Sequence, residues 1–253
     1  MTERQGPAVF DVEGRIVAIT GAAIGIGAAA ARTFAEAGAR VFLIDIDDTR
    51  GETVADGVGT YLHCDVTDAA QVERTFARIA DAAGGLDVLI NNAGGFWRQS
   101  GVGETTEGDW DHIIDLNLKS VFLCSQAAVP MLLDSAAGRI INVGSLAGQT
   151  TMYRSAPAYA AAKAGVHALT RVFAYELAPQ GVTANALAPS AVLTDRILEV
   201  RDEAEREQTA RSIPLGRYGS PQDIANVFLF LASDASAYVT GQTLAANGGR
   251  FMI

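Results

Sequence analysis

The chain has 253 residues, and its formal net charge of −10 argues against nucleic acid and anionic membrane surfaces as partners, because like charges repel. Its hydrophobic fraction of 49% is at the usual globular level, which is enough for the core of one α/β domain. Residues 1–13 lack the apolar segment of a secretory signal, and no stretch reads as membrane-spanning. We therefore predict an N-terminal arm over 1–13, a single domain over 14–253 and a cytoplasmic location.

Short apolar, β-branched runs alternate with helix-like runs along the whole chain. The strand-like runs are 15–20, 40–45, 86–90, 139–143, 182–187 and 242–245, with a further strand ending before Asp65. The clearest helical runs are 28–37, 68–82 and 157–178. This alternation predicts βαβ units with right-handed crossovers. The near-continuous apolar strands indicate a parallel sheet that helices cover on both faces.

A glycine cluster follows the first strand, in the run Thr20-Gly21-Ala22-Ala23-Ile24-Gly25-Ile26-Gly27, and an Ala-rich helix comes next. Glycines let the backbone approach a pyrophosphate closely, and a helix N-terminus offers free N–H donors. The Gly-x3-Gly-x-Gly spacing also suits an ordinary tight turn. Its place in the first βαβ unit favours a dinucleotide.

Acidic and amide residues follow the next three strands. Asp45 ends the second strand, where a carboxylate accepts hydrogen bonds from ribose hydroxyls and repels a 2′-phosphate, so we predict NAD(H) rather than NADP(H). Arg50 is near enough in sequence to neutralise that phosphate instead. The alternative interpretation of Asp45 is an acidic residue that begins a loop or caps a helix. We expect Asp65 to meet the adenine amino group, and Asn92 to order a turn beside the cofactor. Each equally suits an Asx turn.

Tyr159 and Lys163 are four residues apart in a helical run, so both side chains lie on one helix face. Lys163 is one of only two lysines, with Lys119, in a chain that otherwise uses arginine. A nearby ammonium lowers the pKa of a tyrosine, which suits it for proton exchange. The same pattern also describes a surface pair on an amphipathic helix. Ser145 follows the fifth strand outside a GxSxG elbow, and its hydroxyl is placed to hold a substrate oxygen.

Together these residues resemble the short-chain dehydrogenase/reductase family over essentially the whole chain after Asp11. The motifs that carry the resemblance are Thr20 to Gly27, Asp45, Asp65, Asn91 to Gly94, Asn117, Ser145, Tyr159 with Lys163, and Ala188-Pro189. The resemblance implies a single-domain Rossmann fold with a doubly wound, seven-stranded parallel sheet, a tyrosine-based hydride-transfer site and a homotetramer. It also implies that Asn117 kinks a helix and holds a water linking Lys163 to solvent.

The resemblance further implies that Val192 and Thr194 contact the nicotinamide carboxamide, with Pro189 shaping the bend. One departure is Ser190, where the family often has glycine. The predicted catalytic set is Asn117, Ser145, Tyr159 and Lys163. The predicted cofactor set is Gly21, Ile24, Gly25, Ile26, Gly27, Asp45, Ile46, Asp65, Val66, Asn92, Ala93, Gly94, Tyr159, Lys163, Pro189, Val192 and Thr194.

Two loops and one charged segment bear on the substrate. Residues 195–216 are rich in charge, which suits either a solvated helix pair or a mobile lid over a substrate cleft. The other motifs favour the lid, which we predict over 190–216. Phe96, Trp97, Arg98, Tyr153 and Arg154 are the predicted substrate contacts. Arg98 and Arg154 would suit a substrate carboxylate, or they are ordinary solvated surface.

The two cysteines and three histidines show no metal-ligand spacing, so we expect buried apolar thiols at Cys64 and Cys124 and no protein-built metal site. The predicted function is an NAD(H)-dependent oxidoreductase that interconverts a secondary alcohol and a ketone. Two alternatives are a 3-oxoacyl carrier-protein-type reductase, which favours NADPH and a basic docking patch, and a non-catalytic NAD-binding regulatory protein.

Overall fold

The computed structural model describes residues 10–96, 100–151 and 156–252. The strands are β1 (Ile16–Thr20), β2 (Arg40–Asp45), β3 (Gly59–His63), β4 (Val88–Asn91), β5 (Arg139–Val143), β6 (Thr183–Pro189) and β7 (Thr243–Ala246). Among the described residues these strands form one sheet in the order β3-β2-β1-β4-β5-β6-β7, and every neighbouring pair is parallel. The predicted fold class is confirmed.

The helices cover both faces of this sheet. They are α1 (Gly25–Glu36), α2 (Asp48–Ala55), α3 (Ala69–Ala83), α4 (Glu107–Ile114), α5 (Ser120–Asp134), α6 (Pro157–Leu177), α7 (Asp195–Val200), α8 (Glu203–Arg211) and α9 (Pro221–Ala232). The first predicted helix, 28–37, begins earlier than expected, because the glycine turn itself supplies its first turn.

Side chains of β1 alternate between two core clusters. Val17 and Ile19 pack in the cluster that holds Phe34 of α1 and Phe228 of α9. Ala18 packs in the cluster that holds residues of α3, α5 and α6. Burial on both sides explains why the strands are apolar at successive positions rather than at alternate ones. Cys64 and Cys124 are free and buried in the second cluster, as predicted.

The order of the strands reverses at β1, which lies between β2 and β4. Chain connections leave the sheet in opposite directions on either side of such a point, so a crevice opens beyond the carboxyl ends of the strands. The loops that follow β1, β2, β4, β5 and β6 all meet there. The topology therefore places the glycine turn, Asp45, Asn92 and Ser145 around one crevice.

The helical run Glu107–Asp134 corrects the expectation that no stretch of the chain reads as membrane-spanning. It spans α4, a π turn and α5, and its most apolar 18-residue window has a mean hydropathy of 1.3, so it passes the length and composition test for a membrane-spanning helix. That is weak evidence, because core helices pass the same test. Val121, Cys124, Ala128 and Leu132 of α5 are buried within the protein.

The described part of the predicted N-terminal arm packs against the domain. Val12 is buried in the first core cluster, and the ring of Phe10 meets the ring of Phe230 edge-on with centroids 5.9 Å apart. Residues 1–9 lie outside the described residues. The boundary between arm and domain predicted at residue 14 thus comes after residues that belong to the core.

Candidate active site

A cavity of about 850 Å³ opens at the carboxyl ends of the strands. Most of the predicted site residues line it, namely Gly21, Ile24, Gly25, Ile26, Asp45, Ile46, Asp65, Val66, Asn92, Ala93, Gly94, Phe96, Ser145, Tyr159, Lys163, Pro189, Val192 and Thr194. Gly27 and Asn117 do not line the cavity. Each instead contacts a residue that does: Gly27 packs against Gly21, and the Asn117 side chain bonds Gly95.

The glycine turn is built for close backbone approach. Gly21 and Gly25 have φ values of +65° and +56°, in the left-handed region that favours glycine. A Cβ on Gly27 would lie 2.1 Å from the Gly21 carbonyl oxygen, so no larger residue fits there. Helix α1 begins at Gly25, and its N-cap residue Ile24 makes no side-chain capping bond. The first N–H groups of the helix are thereby left for an anionic ligand.

Asn92 and Thr20 brace this turn from the neighbouring strand. The Asn92 side-chain amide donates to the backbone oxygens of Thr20 and Gly21, at 3.0 and 2.9 Å. The Thr20 hydroxyl accepts from the backbone N–H groups of Asn92 and Ala93, both at 3.0 Å. The turn after β4 is therefore tied by hydrogen bonds to the glycine turn after β1.

Asp45 faces the glycine turn from the end of β2. Its Oδ2 accepts from the Ala23 backbone N–H at 2.8 Å, and its Oδ1 accepts from Ile46 N–H at 2.7 Å. Asp47, not Asp45, caps helix α2, by accepting from the Arg50 N–H. The helix-cap alternative for Asp45 is thus wrong, and the carboxylate is held at the cavity wall.

Asp65 lies at the outer end of the same cavity. Its Oδ1 accepts from the N–H and hydroxyl of Thr67, at 2.9 and 2.7 Å, which is an Asx turn. The Asx-turn reading is confirmed, and Asp65 also lines the cavity beside Val66. Contact with an adenine amino group stays a prediction.

Tyr159 and Lys163 lie on the inner face of α6. Lys163 is only 2% exposed, so the surface-pair alternative is wrong for the lysine. Its Nζ lies 5.7 Å from the centroid of the Tyr159 ring and donates to the Val143 carbonyl oxygen at 2.7 Å. Burial lowers the pKa of Lys163 to about 8. The ammonium is therefore the main form at neutral pH, next to the phenol.

Ser145 is held between β5 and α6. It is buried, caps the short 3₁₀ turn Leu146–Gly148, and its Oγ accepts from the Ala147 N–H at 3.1 Å. A Cβ on Gly148 would lie 2.6 Å from the Lys163 carbonyl carbon, so this turn packs directly on the backbone of α6. The close contact brings Ser145 into the cavity that Tyr159 and Lys163 also line.

Asn117 lies in a π turn, Asp115–Lys119, inside the long helical run. Its side-chain amide donates to the Ile113 carbonyl oxygen, and the Ser120 hydroxyl donates to the Leu116 oxygen, which supplies partners to carbonyls in the widened turn. The same Asn117 side chain bonds both the N–H and the C=O of Gly95, each at 2.8 Å. The helix is thus irregular at Asn117, as the resemblance implies.

Asn117 and Lys163 meet at Gly94. A Cβ on Gly94 would lie 2.7 Å from Asn117 Oδ1 and 3.2 Å from Lys163 Nζ. The backbone of the loop after β4 therefore packs against both side chains, and of the two only Lys163 lines the cavity. A water relay through this corner, implied by the resemblance, stays a prediction.

The chain matches known proteins along almost all of its length. The family model described as Enoyl-(Acyl carrier protein) reductase matches residues 21–250. The 3-oxoacyl-[acyl-carrier-protein] reductase FabG of Vibrio cholerae is 40% identical over 248 residues, covering 96% of this chain and 100% of the relative. The FabG of Thermotoga maritima is 40% identical over 251 residues, covering 94% and 98%.

Solved structures agree in fold. The crystal structure of gox2181 has a TM-score of 0.91 and 31% identity, covering 96% of this chain and 97% of that chain. The ligand-free aldohexose dehydrogenase of Thermoplasma acidophilum has a TM-score of 0.87 and 31% identity, covering 95% of each chain. The chain belongs to the short-chain dehydrogenase/reductase family. It is therefore a family oxidoreductase of a kind that uses a nicotinamide cofactor.

Ser190 stands where the family often has glycine, and its backbone is not strained. Among the described residues no residue other than glycine has a positive φ. Ser190 Oγ accepts from the backbone N–H of Ala191, and the residue lines the cavity. The next turn carries Thr194, whose Cγ2 lies 3.3 Å from where a Cβ on Gly25 would be. The segment after β6 thus reaches across to the glycine turn, and the contact of Val192 and Thr194 with the nicotinamide carboxamide stays a prediction.

The predicted substrate residues are only partly described. Phe96 lines the cavity, and its ring packs against the Tyr159 ring with centroids 4.7 Å apart. Trp97, Arg98, Tyr153 and Arg154 lie outside the described residues. Their roles stay predictions.

Sequence reasoning missed several residues of this family site. Arg196 and Arg201 line the cavity, although the charged segment that holds them was predicted only as a lid or a solvated helix pair. His112 and Arg250 also line it. The available signal was the position of Arg196, two residues after Thr194.

His167 was also missed, although it continues the four-residue spacing of Tyr159 and Lys163. It is 5% exposed, and its Nε2 has no hydrogen-bond partner in the described part of the chain. A Cβ on Gly144 would lie 2.2 Å from this Nε2. Burial, and then the charges of Lys163 and Arg171, lower the pKa of His167 to about 4. The imidazole is therefore neutral at physiological pH.

Proposed function

We propose that this protein is an NAD(H)-dependent oxidoreductase that interconverts a secondary alcohol and a ketone, with Tyr159 as its general acid and base. The observation that carries the proposal is the buried Lys163 ammonium beside the Tyr159 ring, in one cavity with the glycine turn. We place a pyrophosphate at that turn because the first N–H groups of α1 have no side-chain cap and the glycines let the backbone approach a ligand closely.

When bound, the nicotinamide accepts hydride from the alcohol or donates it to the ketone. The Tyr159 hydroxyl removes the proton of the carbinol oxygen, or returns it in the reverse direction. The Lys163 ammonium favours the phenolate form of Tyr159 through its positive charge. The Ser145 hydroxyl holds the substrate oxygen and stabilises the charge that develops on it. Asn117 fixes the Gly95 backbone at the edge of the site, and we assign it the water relay to Lys163.

Three features support NAD(H) as the cofactor. Asp45 puts a carboxylate at the ribose end of the cavity. Arg50, the cation that could offset it, points at Asp47, with Nε 3.6 Å from the Asp47 Oδ2. Among the described residues, the cationic side chains that line the cavity come from α6, from the segment after β6 and from the C-terminal loop, not from β2 or α2. A 2′-phosphate would therefore meet unbalanced negative charge.

The test is Tyr159→Phe in the full-length protein. We expect turnover to fall by about 10³-fold or more, because the acid and base group is lost. NADH binding, followed by nucleotide fluorescence, should be largely kept. The control is Tyr175→Phe on the same helix, since Tyr175 is 86% exposed and remote from the cavity lining. If the turnover of Tyr159→Phe stays within a few-fold of that of the unchanged protein, the mechanism is contradicted.

A second candidate is reduction of a 3-oxoacyl carrier-protein thioester. The names of the relatives from Vibrio cholerae and Thermotoga maritima favour it. The net charge of −10 and Asp45 speak against it, because that reaction would favour a basic docking patch and NADPH. Steady-state rates with a 3-oxoacyl thioester and either cofactor, against rates with free secondary alcohols and NAD⁺, separate the two. Absence of turnover with intact NADH binding would support the regulatory alternative.

Residues 190–216 belong to this proposal as a substrate lid. Helices α7 and α8 lie within this segment, and residues from both line the cavity. The homotetramer and the cytoplasmic location stay predictions, which sedimentation and cell fractionation would check.

A further inference from the structure

The two ends of the cavity carry opposite charge. Asp45 and Asp65 line the end near β2 and β3, where the adenosine is proposed to bind. Arg196, Arg201 and Arg250 line it on the side of the lid and the C-terminal loop. This clustering of arginines is notable in a chain with a net charge of −10.

Arg196 of α7 reaches across the cavity to the loop that flanks Tyr159. Its Nη2 donates to the Phe96 carbonyl oxygen, and its Nη1 lies 3.7 Å from where a Cβ on Gly95 would be. The Phe96 ring packs against the Tyr159 ring. The Arg196 guanidinium therefore lies on the substrate side of the site, beside residues that contact the general acid and base.

Arg201 lies between α7 and α8 and is half-buried. Its Nη1 donates to the Thr209 hydroxyl at 2.9 Å, and Arg206 donates to its carbonyl oxygen at 2.7 Å. Arg201 and Thr209 both line the cavity. The guanidinium is thus held in place by one neutral hydroxyl, which leaves most of its five donors for another partner.

Neither arginine has an acidic partner among the described residues. Arg211 of the same lid pairs with Glu207 at 3.0 Å, and Arg217 pairs with Asp223 at 2.6 Å. Asp195 lines the cavity, yet in the described part of the chain no carboxylate lies within 4.0 Å of the side-chain nitrogens of Arg196 or Arg201. The outward arginines are neutralised by the protein, and these two inward ones are not.

We propose that the substrate is an anion, a hydroxy or oxo compound with a carboxylate that Arg196 and Arg201 bind. Guanidinium groups bind carboxylates through paired N–H donors. Partial burial strengthens that contact at Arg201, whereas Arg196 is exposed on the cavity wall. This inference rests on the proposed function. A pyrophosphate shares the chemistry of a carboxylate here, but the contact of Arg196 with Phe96 places it beside Tyr159. The cofactor is therefore the alternative source of the anion, and the test separates the two.

The test compares each acid with its own neutral ester. The full-length protein is assayed with NAD⁺ on short 2-hydroxy and 3-hydroxy acids and on their methyl esters. We expect kcat/KM for the best acid to exceed that of its ester by about 10- to 100-fold, as charge-assisted hydrogen bonds would give. Raising the ionic strength should reduce this ratio without any substitution, because salt screens the attraction.

Arg196→Leu and Arg201→Leu should each lower the acid-to-ester ratio about tenfold or more. Arg201→Lys should keep part of it, and Arg211→Leu, from the outer face of the same lid, should keep all of it. NADH affinity, measured by fluorescence titration, should be unchanged in Arg196→Leu and Arg201→Leu. Circular dichroism melting confirms that each variant is folded.

Equal or better use of the esters by the unchanged protein would overturn the substrate-anion proposal while leaving the reaction class intact. A loss of NADH affinity in the arginine variants with an unchanged ratio would assign the arginines to the cofactor and overturn it too. If no alcohol is oxidised with either cofactor, the proposed function fails instead. Calorimetric titration of 3-oxobutanoate and of its methyl ester into the protein then tests the substrate-anion proposal without turnover. Tighter binding of the acid than of the ester supports that proposal, and equal binding refutes it.

Discussion

Asp45 has two roles at once, because each carboxylate oxygen has a different partner. One oxygen binds the Ala23 N–H of the glycine turn, and the other binds N–H groups of the loop that follows β2. The side chain therefore fixes the wall of the cavity as well as its charge. Two variants separate these roles: Asp45→Asn removes the charge but keeps a hydrogen-bond acceptor, and Asp45→Ala removes both the charge and the hydrogen bonds.

We expect the unchanged protein to use NAD⁺ with a higher kcat/KM than NADP⁺ on one substrate. Asp45→Ala should narrow that preference by about 10-fold or more, because the repulsion of a 2′-phosphate is lost. Asp45→Asn should narrow it similarly while retaining more thermal stability, since the amide oxygen still accepts from Ala23. Equal use of both cofactors by the unchanged protein would contradict the role given to Asp45.

At the scale of one element, the long helix owes its irregular middle to two polar side chains. Asn117 and Ser120 each bond a carbonyl oxygen four residues back. Asn117 also bonds both backbone groups of Gly95, so the π turn is tied to the loop beside Lys163. Among the described residues, the Ser120 hydroxyl bonds only the Leu116 oxygen of its own helix, so Ser120 offers a matched comparison next to Asn117.

Asn117→Ala should cost about 1–3 kcal/mol of unfolding free energy, because it strips buried backbone groups of their partners. It should also lower turnover at least about tenfold, since the Gly95 loop loses its fixed position. Ser120→Ala should cost a similar or smaller stability and keep turnover. Denaturant unfolding and steady-state rates measure both quantities. Full turnover in Asn117→Ala would show that catalysis does not need the hydrogen bonds between Asn117 and Gly95.

At the scale of the whole molecule, folding buries groups that water would otherwise keep charged. Lys163 and His167 occupy successive turns of α6, and burial lowers the pKa of both. A histidine whose folded pKa lies below its unfolded value binds fewer protons when folded. Stability therefore rises with pH between the two pKa values and falls on acidification through that window.

For His167 the window runs from the ordinary value of 6.5 down to about 4. We expect up to about 3 kcal/mol of unfolding free energy to be lost across it on account of this one group. His167→Leu and His167→Gln should each remove this part of the pH dependence, although their stabilities at neutral pH will differ. Denaturant unfolding at several pH values gives the slopes. An unchanged acid slope in both variants would mean that His167 does not titrate in this window.

Local patterns in the sequence were enough for the order of strands and helices, the glycine turn and the shared helix face of Tyr159 and Lys163. Each depends on neighbours a few residues apart, where backbone geometry is uniform. The family resemblance added Asn117, which lies in the π turn of the long helix, and Pro189, Val192 and Thr194, which lie at and after the end of β6. No local pattern explains these positions.

What the sequence by itself determined is the doubly wound fold and the residue types proposed for hydride transfer, because hydrophobic period and close spacing are properties of the chain. Only the tertiary structure decided that Asp47 rather than Asp45 caps α2, that His167 has an unpartnered nitrogen, and that Arg196 and Arg201 face inward while Arg211 faces out. These outcomes depend on packing between segments distant in sequence. The sequence of the charged segment after β6 does not indicate which of its arginine side chains line the cavity.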